Sequence, residues 1–227
     1  MILAKGKYIN IIDSDDKWDY QAFNIISNYF DNHKTIDYVA GRIKFFDAKN
    51  YYETLDYKFY KTRIVNLTEE YNCIQVSISS SIFKKPLIEG KFFDERVLIS
   101  EDSKFINSIL MVKPIIGLVK EAIFYYRRRS DCSSAIQTKK NFLEYYFGTP
   151  KYVFNYYIQK SKKLYNRIIP FIQYLLSYEI LFRFEEPAYK YLNSKNYKKY
   201  IFVIKKILKQ IEDKYILVYF RTENSTK

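Results

Sequence analysis

Strand-like and helix-like segments alternate along the first 130 residues, and this alternation most limits what the chain can fold into. β-Branched and aromatic runs predict strands, whereas apolar residues at a spacing of three and four predict helices. Strands are predicted at residues 8–12, 37–46, 57–65 and 117–129, and helices at 17–31 and 100–113. Residues 67–90 are ambiguous, with a short helix or turn predicted before Phe83. Alternating elements of this kind are typical of an α/β layer architecture.

The composition changes beyond residues 130–140. Glycine becomes rare there, and apolar stripes alternate with lysines, as in Tyr200, Ile204, Ile207 and Ile211. We therefore predict two parts: an α/β part at 1–136 and a mostly helical C-terminal extension at 137–227.

Charge and residue usage narrow the function classes. The net charge of +13 suggests a polyanionic neighbour, although A/T-rich codons would produce much of the same composition. Cys73 and Cys132 lack the spacing of a zinc site or a disulfide framework, which favours a reducing compartment. His33 is the only histidine, so Ser-His-Asp, Cys-His and histidine-ligated metal chemistry are effectively excluded.

Localisation follows from the apolar segments. The N-terminus lacks the pattern of a signal peptide. The longest apolar stretch, residues 168–182, is interrupted by Pro170, Gln173 and Glu179 and is too short for a bilayer. We expect a cytoplasmic protein, with peripheral contact at the inner face of the cell membrane as an option, because lysine-rich amphipathic helices can lie on anionic lipid.

The segment "KYINIIDSDDKW" ends an apolar strand with three carboxylates. Asp13 and Asp15 share one face at the carboxyl end of that strand, where ligands bind in open α/β sheets. Carboxylates at D-x-D spacing can hold Mg²⁺ or Mn²⁺ through oxygen ligands. The alternative is a polar turn, and in either case Asp16 is the predicted N-cap of the following helix.

A second acidic pair, Glu101 and Asp102, stands at the start of the predicted helix at 100–113. One of these carboxylates could act as a general base towards an attacking hydroxyl. Acidic residues also favour helix N-termini through the helix dipole, so the pair alone does not decide between the two interpretations.

Three segments together carry a family resemblance. "AKGKYINIIDSDDKW", "GKFFDERVLISEDSKFINSILMVKP" and "GLVKEAIFYYRRRSDCSSAI" resemble, in the same order, the D-x-D segment, the E-D segment and the following strand of family-2 glycosyltransferases. "IIPFIQYLLSYEILFRF" and "IFVIKKILKQIEDKYI" resemble helices that follow the transferase domain in bacterial capsule and teichoic-acid-type enzymes. The Q-x-x-R-W motif of processive members is absent.

The resemblance implies a fold and a chemistry. The fold would be a partial GT-A (Rossmann-like) sheet with flanking helices, followed by the helical extension. Asp13 and Asp15 would bind Mg²⁺ or Mn²⁺ and the diphosphate of a nucleotide-sugar donor. Asp102, with Glu101 beside it, would deprotonate the hydroxyl of a glycan or lipid-linked glycan acceptor in an inverting transfer. Two or more of Arg127, Arg128 and Arg129 could add charge near phosphate, or these arginines could simply end a solvated strand.

Family members place a nucleotide-binding half before the D-x-D strand, and here only a few residues precede it. We therefore expect weak or no activity from this chain alone, unless a partner chain supplies that half, because nucleoside binding positions the sugar. The alternatives are a non-enzymatic scaffold module of a polysaccharide assembly and a basic nucleic-acid-binding protein. The acidic clusters argue against nucleic acid as a partner.

Overall fold

The computed structural model describes residues 4–130, 138–185 and 187–217. The strands are β1 (Tyr8–Asn10), β2 (Lys17–Trp18), β3 (Tyr38–Asp47), β4 (Arg63–Asn66), β5 (Ser81–Lys84) and β6 (Ile115–Arg128). The helices are α1 (Ala22–Asn32), α2 (Lys85–Ile88), α3 (Glu101–Leu110), α4 (Asn155–Tyr165), α5 (Pro170–Phe182) and α6 (Ser194–Leu208). Short π-helical turns at Glu144–Gly148 and Pro150–Phe154 precede α4.

The six strands form one mixed sheet in the order β1-β5-β3-β6-β2, with β4 also paired to β6. β3 and β6 run parallel at its centre, and the other pairs are antiparallel. The β3–β6 register shifts after Gly41, where a Cβ would come within 2.6 Å of the Trp18 ring. The predicted α/β fold class, a sheet with flanking helices followed by a mostly helical C-terminal part, is confirmed.

The predicted start of the first helix is wrong. Lys17 and Trp18 pair with Tyr125 and Phe124 of β6, and α1 begins only at Ala22. Asp16 is therefore not the helix cap, and its carboxylate instead accepts a hydrogen bond from the Arg127 amide. Pairing with a strand more than 100 residues away outweighs the local helical periodicity.

Two further segments differ from prediction. Thr54–Phe59 forms a 3₁₀ turn that overlaps the start of the predicted strand at 57–65, because this turn buries Leu55, Lys58 and Phe59 together. Phe83 lies within β5, and the short helix α2 follows it rather than preceding it.

The helical part packs directly on the sheet. One cluster of buried side chains joins Val65 and Ile116 of the sheet to Tyr157, Leu175 and Ile204 of α4, α5 and α6. α5 is buried over most of its length, which explains why most of its residues are apolar. No helix in the described ranges is long and apolar enough to cross a membrane. The predicted boundary at 136/137 touches residues outside the described ranges and stays a prediction.

Candidate functional site

The acidic turn after β1 is held from both sides. Asn10, the last residue of β1, donates hydrogen bonds to the carbonyls of Ser79 and Ser81, and its own amide oxygen accepts one from Trp18 Nε1 at 3.1 Å. The amide of Asp16 bonds to the Asp13 carbonyl at 3.2 Å, which closes the turn. The Asp13 side chain is exposed to solvent.

The other two carboxylates of the turn are engaged with β6. Asp15 Oδ2 accepts hydrogen bonds from Arg129 Nη2 and Nε at 2.7 and 3.1 Å. Asp16 Oδ1 accepts from the Arg127 amide at 2.8 Å, whereas its buried Oδ2 has no partner among the described residues. Burial raises the pKa of Asp16 to about 6, and the nearby charges of Asp15 and Asp13 add to the effect.

The second acidic pair begins α3. Asp102 Oδ2 accepts a long hydrogen bond, 3.5 Å, from the Ile78 amide. Burial raises the pKa of Asp102 to about 7, and the charges of Glu101 and Asp13 raise it further. The pKa of Glu101 is raised as well, chiefly by burial and then by Asp13. Asn10 at the end of β1 bonds to the Ser79 carbonyl and Asp102 bonds to the adjacent Ile78 amide, so the fold brings the two predicted acidic clusters to the same loop.

The arginines at the end of β6 take three different environments. Arg127 Nε donates to Asp47 Oδ2 at 2.8 Å. Arg128 lies over the Phe45 ring at 4.7 Å, and within the described part of the chain its buried Nε has no partner. Arg129 holds Asp15. Arg128 therefore has a buried donor that makes no hydrogen bond within the described residues, whereas Arg127 is turned towards the end of β3.

The helical part contributes charges that sequence reasoning missed. The positive charge of Lys139 lowers the pKa of Glu101, and the negative charge of Glu179 raises it. Burial lowers the pKa of Lys139 to about 8, helped by the positive charge of Arg183. These residues lie far from the acidic pair in sequence and belong to no motif, so no local pattern could have identified them.

The donor set fits a hard divalent cation only in part. No group of three or more His, Cys, Asp or Glu side chains that could hold a metal ion occurs in the described ranges. Mg²⁺ needs fewer protein ligands, because it is commonly bound through one or two carboxylates together with substrate phosphates and water. The exposed carboxylate of Asp13 and that of Asp15, on one turn, suit this mode of binding.

Comparison with known proteins shows two relatives in Bacillus subtilis (strain 168). The minor teichoic acid biosynthesis protein GgaB is 33% identical over 218 residues, which cover 94% of this chain and 24% of that protein. The minor teichoic acid biosynthesis protein GgaA is 23% identical over 187 residues, covering 79% of this chain and 41% of that protein. The chain thus spans about a quarter of GgaB and less than half of GgaA. No family model matches it.

Among solved structures, S. aureus TarS 1–349 in complex with UDP has a TM-score of 0.46 at 14% identity, covering 96% of this chain and 68% of that one. A second S. aureus TarS structure has a TM-score of 0.47 at 15% identity, covering 91% and 39%. The chain is a homologue of bacterial teichoic acid biosynthesis proteins, and its predicted kinship with family-2 glycosyltransferases of the bacterial cell-surface polysaccharide type is confirmed.

Proposed function

We propose that this chain carries the transfer site of a glycosyltransferase in bacterial cell-wall polymer synthesis. The sugar would pass from a nucleotide-sugar donor to a hydroxyl of a glycan or lipid-linked glycan acceptor. The observation that carries this proposal is the proximity of two acidic clusters that are distant in sequence. Asn10, three residues before Asp13, bonds to the Ser79 carbonyl, and Asp102 bonds to the neighbouring Ile78 amide, so a donor diphosphate near Asp13 and an acceptor hydroxyl near Asp102 would be neighbours.

Asp102 suits the role of general base. A base works best when its pKa lies near the operating pH, and that of Asp102 is about 7. In the proposed inverting step, the acceptor oxygen forms a bond to the anomeric carbon as the bond to the diphosphate oxygen breaks. The hydroxyl proton moves to Asp102, and the diphosphate leaves with the electron pair. Glu101 increases the basicity of Asp102 through its adjacent negative charge.

Asp13 and Asp15 would hold Mg²⁺ or Mn²⁺, which supplies positive charge to the leaving diphosphate when bound. Arg128, whose buried Nε has no partner among the described residues, is the better placed of the two predicted arginines for phosphate. Arg127 would first have to leave Asp47.

Calorimetry with Mn²⁺ and UDP- or CDP-sugars tests the donor half of the proposal. Asp15→Ala should weaken Mn²⁺-dependent binding by about 10- to 100-fold, the range seen when support for a metal site is removed. The matched control is Asp47→Ala, which also removes the carboxylate partner of an arginine at the end of β6. Equal binding by Asp15→Ala and the wild type would show that the metal assignment is wrong.

We also propose that a partner chain contributing nucleoside contacts would pair at the free edge of β1. In the described ranges β1 pairs with β5 only. An added strand could use its unpaired backbone groups.

We also propose that α6 rests on the inner face of the membrane, near lipid-linked acceptors. Five exposed lysines and no acidic residue lie on α6, and the Phe202 side chain among them is 70% exposed. Each lysine close to an anionic surface contributes about 1 kcal/mol. Lys198→Glu/Lys205→Glu should therefore abolish co-sedimentation with vesicles containing phosphatidylserine, whereas Lys49→Glu/Lys61→Glu, away from α6, should reduce it much less. Wild-type protein that stays in the supernatant at low salt would remove this proposal.

A further inference from the structure

A buried ion pair at the C-terminal end of α5, between Glu179 and the following Arg183, reaches the residue that precedes the acidic pair. Arg183, only 3% exposed, donates from Nη1 to Glu179 Oε2 at 2.8 Å and to the Glu179 carbonyl at 2.6 Å. Its second terminal nitrogen, Nη2, donates to Ser100 Oγ at 3.3 Å. Ser100 Oγ in turn lies 3.5 Å from Glu179 Oε2. The pair therefore links the helical part to the first turn of α3.

Ser100 has an unusual backbone conformation. Its φ is +68°, in the left-handed region that residues other than glycine rarely adopt. Its carbonyl accepts the hydrogen bond of the Lys104 amide at 3.0 Å, so this conformation aims the first helical bond of α3. Thr149 Oγ1 donates to the carbonyl of Ile99 at 3.2 Å. The helical part thus holds both residues that lead into Glu101.

Stability alone does not account for this arrangement. Burying an ion pair costs about as much in desolvation as it returns. Arg183 Nε is also buried without a hydrogen-bond partner in the described ranges, although the guanidinium stacks on Tyr145 at 4.5 Å and on Phe154 at 5.0 Å. Such a pair is better suited to imposing one geometry than to adding stability.

We infer that Arg183, oriented by Glu179, is a positioning residue that holds Ser100 in its left-handed conformation and thereby aims Glu101 and Asp102. The helical part is then a component of the transfer site rather than an appendage. This inference rests on the proposed function for its catalytic consequence. Its structural consequence, the conformation of Ser100, can be measured independently.

The test compares the Glu179→Gln/Arg183→Met variant with the same variant carrying Ser100→Gly. Removing both charges avoids leaving one of them buried and unpaired. Glycine adopts the left-handed conformation without strain, so it should restore the geometry that the lost contact no longer enforces. The matched control is Arg63→Met/Glu70→Gln, which removes the ion pair between Arg63 of β4 and Glu70 in the turn that follows. Arg183→Lys is a second variant that keeps the charge.

Two quantities are measured: hydrogen exchange of the Lys104 amide by NMR, and the kcat and KM of transfer. In the Glu179→Gln/Arg183→Met variant, called the charge-free variant below, we expect the Lys104 amide hydrogen to exchange about 10-fold faster or more than in the wild type. We expect its kcat to fall by about 10- to 100-fold with an unchanged donor KM. Adding Ser100→Gly to the charge-free variant should recover most of both losses. Arg183→Lys by itself should show smaller losses than the charge-free variant. The Arg63→Met/Glu70→Gln control should change neither quantity.

Wild-type exchange at Lys104 in the charge-free variant would overturn the inference. Equal losses with and without Ser100→Gly would overturn it as well, since they would indicate general destabilisation. If the wild type shows no transfer, the proposed function fails for this chain. The exchange of Lys104 still decides the positioning role.

Discussion

Replacing Asp102 by Asn should make the protein more stable at about pH 8 while removing its proposed base. The folded state raises the pKa of Asp102 from 3.8 to about 7, so the folded protein binds this proton more tightly than the unfolded chain does. The wild type therefore loses stability as the pH rises through this window, whereas Asp102→Asn has no proton to lose at this position.

The size of the effect follows from the pKa values. Each pH unit between the two values corresponds to about 1.4 kcal/mol, which sets an upper limit of about 4 kcal/mol. Asp102 is partly exposed, and solvent screening lowers the expected gain to about 2–3 kcal/mol. The gain should be present above pH 7 and should vanish near pH 4.

Urea unfolding of both proteins at about pH 4.5 and about pH 8 measures the difference. Asp94→Asn is a control of opposite sign: hydrogen bonds from Arg96 and Lys104 hold the pKa of Asp94 well below its usual value. This control should lose stability by nearly the same amount at both pH values, because Asp94 is ionised in the folded protein throughout this range and its contribution falls only below about pH 4. A destabilisation of Asp102→Asn that is the same at both pH values would refute the reasoning, because it would mean that burial does not disfavour the ionised form of Asp102.

In transfer assays Asp102→Asn should lower kcat by about 10²- to 10⁴-fold.

Three further substitutions test the fold around the site. Gly41→Ala should destabilise by about 1–3 kcal/mol in urea unfolding, because its Cβ would lie 2.6 Å from the Trp18 ring. Tyr157→Phe should cost about 1 kcal/mol by the same measurement, since it removes the buried bond between the hydroxyls of Tyr157 and Ser103. Asp16→Asn should stabilise by about 1 kcal/mol at pH 8 and not below pH 4, because burial raises the pKa of Asp16; a pH-independent effect would contradict this.

Much of the fold could be predicted from local patterns. β3, α3 and β6 occur close to their predicted positions, because long runs with a clear period specify their own conformation. The start of α1 could not be predicted in this way. Lys17 and Trp18 continue the helical pattern of α1, but pairing with β6 satisfies their backbone groups in another manner.

The site divides in a similar way. The residue types and spacing of Asp13, Asp15, Glu101 and Asp102 pointed to carboxylate chemistry, and the resemblance put these residues in one family site. Their environments were not predictable, because Asp15 bonds to Arg129, which is 114 residues away, and Asp16 to the Arg127 amide, 111 residues away. The roles of these residues in metal binding and catalysis stay predictions.

The sequence by itself determined the alternation of elements, the family and the identity of the carboxylates, all of which depend on neighbouring residues or on matching motifs. Only the tertiary structure decided that Asp13 lies near α3, that burial raises the pKa of Asp102 to about 7, and that Arg183 reaches Ser100 across 83 residues of chain. The physical reason is that desolvation and electrostatic interaction depend on distance in space, and distance along the chain does not reveal them.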